Sequence, residues 1–260
     1  AGLKMGERAC VFAHNGVEWA AAALAIQSAG GVIVPIYPAS TAEQAAYVAE
    51  HSDARVVFVG STPSLTKVLE AWSAYAHCQR IVIFDDAVDV RAVDEVVRGR
   101  GKELPPFAEI ERKIVPWTRA LEIGAAGDRE DPSAFERTMH SISLDQPGMM
   151  LYTSGTSGNP KGVPLSHRNV AVNGLDWLRC NAPLLEENAV DVLWLPMSHI
   201  FGFGEACLGN TLGFTSYLTD PRAVLDKLPE VRPHVFMSVP SVWEKLATGA
   251  GGDAAKLRAI

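Results

Sequence analysis

The chain has 260 residues, 48% of them hydrophobic, with 30 acidic against 23 basic side chains and a net charge of −7, which suffices for one large or two smaller α/β units around a substantial core. No run approaches the roughly 18 uninterrupted apolar residues of a membrane-crossing helix, since the Ala-rich stretch from Trp19 to Ala29 is short and carries Gln27, and an acidic chain without a basic stripe argues against nucleic acid as the main partner. Ala1-Gly2-Leu3-Lys4-Met5 lacks the basic-then-apolar pattern of a secretory signal, and Cys10, Cys78, Cys180 and Cys207 are scattered without a C-x-x-C, so buried free thiols and a cytoplasmic address are expected.

Strand and helix signals alternate, which predicts a largely parallel sheet flanked by helices. Ala9 to Ala13 reads as a strand, Val17 to Ala29 as a helix ended by Gly30-Gly31, and Val32 to Tyr37 as a second strand. Thr41 caps a helix through Glu50, Arg55 to Val59 is a buried strand, Pro63 to Cys78 is helical, and Ile81 to Phe84 is a strand. From Asp89 to Asp145 the pattern loosens into short helices broken by Gly101, Pro105-Pro106, Pro116, Gly124 and Gly127, with no strand expected. Beyond residue 166 the expectation is a helix to Cys180, a strand at Val190 to Leu195, a helix from Ile200 to Leu212 and a strand at Thr215 to Leu218. A helix from Pro221 to Leu228, a strand from His234 to Val239 and a helix from Ser241 to Thr248 complete the series.

Between these two series lies the most specific segment, Tyr152-Thr153-Ser154-Gly155-Thr156-Ser157-Gly158-Asn159-Pro160-Lys161-Gly162. Met149 to Tyr152 reads as the end of a buried strand, so the loop leaves the sheet at its carboxyl edge, where open α/β folds bind ligands. Glycines let the backbone approach an anion and turn successive N–H groups inward, the hydroxyls of Thr153, Ser154, Thr156 and Ser157 add donors, and Lys161 supplies charge. This is the composition of a phosphate-wrapping loop. It is not the P-loop G-x-x-x-x-G-K-[ST], because Pro160 and Gly162 stand where that pattern needs Gly and Ser or Thr. Pro160 and Pro164 keep the chain extended, and Ser166 is the expected cap of the next helix.

The string LYTSGTSGNPKGVPLSHRNV resembles the signature of the adenylate-forming superfamily of acyl-CoA synthetases, firefly-type luciferases and peptide-synthetase adenylation domains. The resemblance implies that Thr153, Ser154, Gly155, Thr156, Ser157, Gly158 and Lys161 hold the β- and γ-phosphates of ATP while a carboxylate attacks the α-phosphate. DVLWLPMSHIFGFGEACLGNTLGF is similar to the superfamily's strand, proline, histidine and glycine-containing helix, which makes His199 the catalytic candidate facing the carboxylate and α-phosphate. On the residues alone, a helix-capping or core histidine is the alternative. EVRPHVFMSVPSVWEKL resembles the long-chain branch, and in enzymes of that kind Phe201 and Phe203 would line or gate an acyl tunnel, with simple helix packing the competing role.

By that resemblance the fold is α/β, with residues 1–180 a first αβ lobe that includes the phosphate loop and residues 186–260 part of a second. The superfamily's adenine-binding Y-G-x-T-E-like segment, with its Mg²⁺-placing glutamate, its ribose-binding aspartate and its C-terminal catalytic-lysine domain have no counterpart in the sequence. The implied activity is that of a long-chain fatty acid–CoA ligase seen as its N-terminal part: ATP and a fatty acid give acyl-AMP and pyrophosphate, and CoA then displaces AMP. ATP, Mg²⁺ and CoA are the implied cosubstrates and cofactor, with no metal ligand assigned within these residues. Two alternatives stand beside this: an acyl-AMP ligase delivering to a carrier protein, and a non-catalytic acyl- or nucleotide-binding module. The resemblance leaves peripheral membrane contact and oligomeric state open.

Overall fold

The computed structural model describes residues 2–153, 159–185, 188–249 and 251. Strands β1 (Arg8–Phe12), β2 (Val32–Pro35), β3 (Ala54–Val59), β4 (Arg80–Ile83), β5 (Ile114–Pro116), β6 (Pro147–Thr153) and β7 (Lys161–Ser166) form one sheet in the order β5-β4-β3-β1-β2-β6-β7. All neighbours are parallel except β6 and β7, which form an antiparallel hairpin. The central strands are short apolar runs such as Ala9-Cys10-Val11-Phe12, all four fully buried, as a parallel sheet covered on both faces requires.

The two faces are read off strand alternation. Cys10, Phe12, Val34 and Val57 pack with Ala45 and Ala49 of α2 (Ala42–His51), Leu65 and Val68 of α3 (Thr62–Glu70) and Val93 and Val97 of α5 (Val90–Gly99). Ala9, Val11, Ile33 and Val56 point the other way, onto Trp19, Ala22 and Ile26 of α1 (Val17–Ser28). Local signals fix the helix ends. Thr41 Oγ1 accepts from Gln44 N while Gln44 Oε1 accepts from Thr41 N, a reciprocal capping box on α2. Asp89 Oδ1 accepts from Ala92 N at the start of α5, and Gly30 closes α1 at φ +74°.

A second, two-stranded parallel sheet joins β8 (Val190–Leu193) to β9 (Thr215–Leu218) across α10 (Ile200–Leu212). Leu193, Met197 and Phe203 belong to the same buried cluster as α1 and the first sheet, so the two sheets share a core. Val192, Trp194 and Leu195 face a separate cluster with Val224 of α11 (Val224–Val231) and Val242 of α12 (Pro240–Gly249).

The structure corrects several sequence expectations. The loosened segment does contain a strand, β5, whose three residues are too few to show a period and which exists through its pairing with β4. Gly124 and Gly127 lie inside α7 (Trp117–Glu130) rather than ending it, on a helix with no buried residue, where an added Cβ would meet nothing within 4 Å. α6 (Phe107–Lys113) and α8 (Ala134–Ser141) flank that unit. The helix expected over 63–78 breaks at Ala71 into α3 and α4 (Trp72–Tyr75). β8 ends at Leu193, two residues early, and α11 starts at Val224 because Asp220 Oδ1 accepts from Arg222 N and Ala223 N and closes a turn first. His234 to Val239 is not a strand: it touches β8 at one bridge, Asp191 to Val235, and the His234 ring takes the Val190 N–H that a ladder carbonyl would accept. Cys10 and Cys78 are buried thiols, but Cys180 is exposed and Cys207 half-buried.

Candidate functional site

The β6–β7 hairpin carries the two ends of the glycine-rich segment. Thr153 faces Lys161 across the ladder and Tyr152 faces Gly162, so Thr153 and Lys161 form the last rung of the hairpin at the sheet's carboxyl edge. Glycines and hydroxyls that make few apolar contacts predict a loop that is mobile until phosphate orders it; Ser154, Gly155, Thr156, Ser157 and Gly158, on which that expectation falls, lie outside the described residues. Thr153 and Lys161 are exposed, and among the described residues Lys161 enters no ion pair. An exposed ammonium beside a hydroxyl, with no internal carboxylate to neutralise it, is available to an anion.

Four side chains hold this hairpin in place. At its base Gln27 Nε2 donates to Gly148 O at 3.1 Å and Gln146 Nε2 donates to Gly30 O at 2.7 Å, tying β6 to α1 and the turn after it. Near its tip Tyr47 Oη donates to Pro160 O at 3.0 Å, and His51 Nδ1 lies 2.7 Å from Tyr152 Oη. Burial, with the neighbouring Cys10 and Tyr47 groups, pushes the Tyr152 phenol up to about 12, so it stays protonated and can donate. Ser166 behaves as the sequence indicated: its Oγ accepts from Asn169 N at 3.2 Å while Asn169 Oδ1 accepts from Ser166 N at 3.0 Å, which starts α9 (His167–Asn181) at the far end of β7. His167 folds back over Gly148, where a Cβ would sit 2.5 Å from its ring, and burial lowers its pKa.

His199 stands at the carboxyl side of β8 as the N-cap of α10, exposed, with Nδ1 accepting from Phe201 N at 3.3 Å. Capping is therefore a structural role it already performs, and Nε2 is the atom left to face outward. The turn before it is fixed from the other sheet. Asn15, in the turn after β1, donates from Nδ2 to Leu195 O at 2.9 Å and accepts at Oδ1 from Met197 N at 2.8 Å. Gly202 lets α10 settle on that turn, since a Cβ there would lie 2.5 Å from both Leu195 O and Pro196 O. Asn15 was not singled out by the sequence; only its position in a His-Asn-Gly turn after a strand could have flagged it.

Two cavities flank these residues. A cleft of about 830 Å³ lies at the carboxyl ends of β1, β2, β8 and β9, lined by His14, Asn15, Tyr37, Trp194, Asp220 and Arg222 among others. A larger, mostly apolar cavity of about 990 Å³ lies between α9 and α10, lined by Phe201, Phe203, Leu175, Trp177, Leu208 and Glu205 among others. Phe201 and Phe203 both line this cavity, although Phe203 is only 3% exposed and packs edge-on against Trp19 at 6.2 Å between ring centroids. Strand end, proline and helix start predict His199 at the mouth of an apolar cavity with Phe201 or Phe203 nearby; its neighbour Ile200 lines the cavity, while the His199 ring is not among the lining groups. Among the described residues no hydrogen bond or ion pair joins His199 to Thr153 or Lys161.

Glu205 is 1% exposed beside the fully buried Asp191, and none of their four carboxyl oxygens has a hydrogen-bond partner of normal geometry among the described residues. Burial, then the Asp191 charge, pushes Glu205 up to about 8, and the Met237 backbone N–H offsets this only in part. Asp191 is raised as well, by burial first, with the Ser216 hydroxyl opposing. Among the described residues no group of three or more His, Cys, Asp or Glu side chains could hold a metal ion. No described helix is long and apolar enough to cross a membrane.

The chain is 31% identical over 254 residues to the long-chain-fatty-acid–CoA ligase ACSBG2 of Xenopus laevis, covering 94% of this chain and 31% of that protein. It is 31% identical over 259 residues to the long-chain-fatty-acid–CoA ligase FadD15 of Mycobacterium bovis, covering 98% of this chain and 38% of that protein. The chain therefore spans about a third of the length of the curated relatives it matches. Among solved structures, the A-PCP didomain of carboxylic acid reductase from Segniliparus rugosus in complex with AMP superposes with a TM-score of 0.69 at 20% identity, covering 99% of this chain and 35% of that one. FadD1, a long-chain-fatty-acid-CoA ligase from Archaeoglobus fulgidus, superposes with a TM-score of 0.63 at 19% identity, covering 96% of this chain and 43% of that one. Because the family model of AMP-binding enzymes matches residues 1–260, the chain belongs to the AMP-binding, adenylate-forming family.

Proposed function

We propose that the protein containing this chain activates a long-chain fatty acid with ATP and transfers the acyl group to CoA. One carboxylate oxygen attacks the α-phosphorus, the bond to the bridging oxygen of pyrophosphate breaks, and the acyl-adenylate is then attacked by the CoA thiol with release of AMP. The observation that carries this reading is the pair formed by Thr153 and the exposed Lys161, which has no ion pair among the described residues, at the tip of a hairpin on the sheet's carboxyl edge. Such a pair suits a polyphosphate leaving group. The choice of fatty acid and CoA draws on the names of the curated relatives and on the apolar cavity at Phe201 and Phe203, which would take the acyl chain.

In this reading Ser154, Gly155, Thr156, Ser157 and Gly158 complete the phosphate contacts. His199 serves through its outward Nε2, hydrogen-bonding charge that develops at the carboxylate and α-phosphate. Residues 1–180 form the first lobe and residues 186–260 begin the second, with Asn15 joining them in front of His199. We place the protein in the cytoplasm. Transfer to a carrier protein instead of CoA shares the adenylation step and differs only in the acceptor. The decisive experiment is ATP–pyrophosphate exchange with a fatty acid in the full-length protein. Lys161→Ala removes a charge-assisted contact and should lower exchange about tenfold to a hundredfold; unchanged exchange in a folded Lys161→Ala protein refutes the assignment.

A further inference from the structure

The β6–β7 hairpin outgrows the sheet that carries it. β6 registers on β2 at Ile33 to Met149 alone, whereas its pairing with β7 continues through Met150, Leu151 and Tyr152 to Thr153. Past Met149 the ladder is two-stranded: Met150 and Tyr152 pack on one core cluster and Leu151 on the other, but no third strand pairs with the tip, and a two-stranded ladder depends on such side-chain packing to hold its shape. Yet its last rung holds Thr153 and Lys161, the described residues on which the proposed function rests.

The only side-chain hydrogen bonds that reach this extension from another element, among the described residues, come from α2. Tyr47 and His51 lie one helical turn apart with their rings stacked at 5.3 Å. Tyr47 Oη holds Pro160 O at 3.0 Å, on the residue before Lys161, and His51 Nδ1 holds Tyr152 Oη at 2.7 Å, on the residue before Thr153. One contact thus grips each strand of the ribbon, one residue from its last rung. The Tyr152 ring also stands edge-on to Tyr47 at 6.3 Å and to His51 at 5.6 Å. It lies across Gly162, where a Cβ would come within 3.3 Å of its Cζ. Gly162 therefore lets the phenol lie low enough to reach α2.

We propose that Tyr47 and His51 of α2, with Tyr152, form an aromatic latch that positions Thr153 and Lys161 for the polyphosphate of ATP. These are positioning residues that act through the hairpin, and the proposal rests on the reading of the hairpin as the ATP-phosphate site. The latch must move ATP parameters and leave those of the carboxylic acid alone, because nothing in it approaches the apolar cavity between α9 and α10.

The test uses the full-length protein with Tyr47→Phe, His51→Ala, their combination, and His51→Asn, whose amide can replace the imidazole acceptor. Each single loss of a hydrogen bond should raise the KM for ATP in pyrophosphate exchange about two- to tenfold, with the KM for the acid unchanged, and His51→Asn should restore most of the loss. Hydrogen exchange supplies a second readout: amides of residues 150–153 and 161–163 should exchange faster in the double variant, while those of β1 and β3 keep their protection. Unchanged ATP parameters in the double variant, against an impaired Lys161→Ala control, overturn the latch whatever the amides do. If Lys161→Ala itself leaves ATP use intact, the phosphate reading fails and the latch's role falls with it. A faster-exchanging hairpin together with a raised ATP KM and the His51→Asn rescue would establish it.

Discussion

The buried carboxyl pair of Asp191 on β8 and Glu205 on α10 gives the sharpest quantitative test. Glu205 is 1% exposed and its pKa is raised from 4.5 to about 8, first by burial and then by Asp191. Between those two values the folded protein holds a proton at Glu205 that the unfolded chain has released. Stability therefore falls as pH rises, at up to about 1.4 kcal/mol per pH unit for one fully displaced proton. Relaxation and water entry reduce the effect for a real buried group, so from pH 6 to 8.5 a loss on the order of 2 kcal/mol is expected from this residue. Asp191 is raised in the same direction and adds to the slope from lower pH.

Glu205→Gln keeps the shape of the protonated side chain and cannot ionise. The variant should match the parent near pH 4, below both values, and its advantage should widen between pH 6 and 8.5 by about 4–8 °C in thermal midpoint if about 2 kcal/mol is recovered in a chain of this size. Urea or thermal unfolding followed across pH 4 to 9 in both proteins reads the difference directly. The remaining groups, among them exposed Asp131 and Asp145 with carboxyls lowered by Arg137 and Arg168, are common to both proteins and cancel. Identical pH slopes would show that Glu205 ionises at its ordinary value in the folded protein and would refute the reasoning.

Three further outcomes follow from contacts already described. Asn15→Ala removes both bonds to the turn before His199 and should cost about 1–3 kcal/mol, the toll of leaving a buried carbonyl and amide without partners, measured by urea unfolding. Gly202→Ala would place a Cβ 2.5 Å from two backbone carbonyl oxygens; because backbone cannot swing aside, it should destabilise by about 1–3 kcal/mol and lower activity alongside His199→Ala. Thr41→Ala breaks the capping box of α2 and should cost about 1 kcal/mol, while Thr41→Ser should cost little by the same measurement.

What could be read from the sequence was local. The apolar runs Ala9 to Phe12 and Arg55 to Val59, the caps Thr41 and Ser166, and the Gly30-Gly31 stop each announce themselves within a few residues, and each stands where the residues indicated. β5 could not be seen because three residues carry no period; pairing with β4 creates it. The expected strand at His234 to Val239 shows the reverse: alternating apolar residues were present, but a histidine side chain occupies the ladder position that the backbone needed.

The same division runs through the candidate site. Thr153, Lys161 and His199 were visible because a loop's composition and a helix start are written in consecutive residues. Asn15, Tyr47 and His51 were not, because their partners lie 180, 113 and 101 residues away, and nothing in a helix such as Ala42–His51 marks two aromatic side chains as anything but surface or core. This distribution has a physical origin in where the next helix begins. In a P-loop the helix starts at the lysine and its N-terminal dipole and N–H groups serve the phosphates. Here β7 intervenes, six residues long, which at about 3.4 Å per residue puts the start of α9 roughly 20 Å from the hairpin tip, beyond the reach of a terminal dipole that fades within one turn. On the phosphate reading proposed above, the described part of the tip relies on the Lys161 charge and on exact placement of two strand ends. Placement that a helix start would supply locally has to come from distant side chains, which is why the groups that define the geometry are those a linear reading passes over.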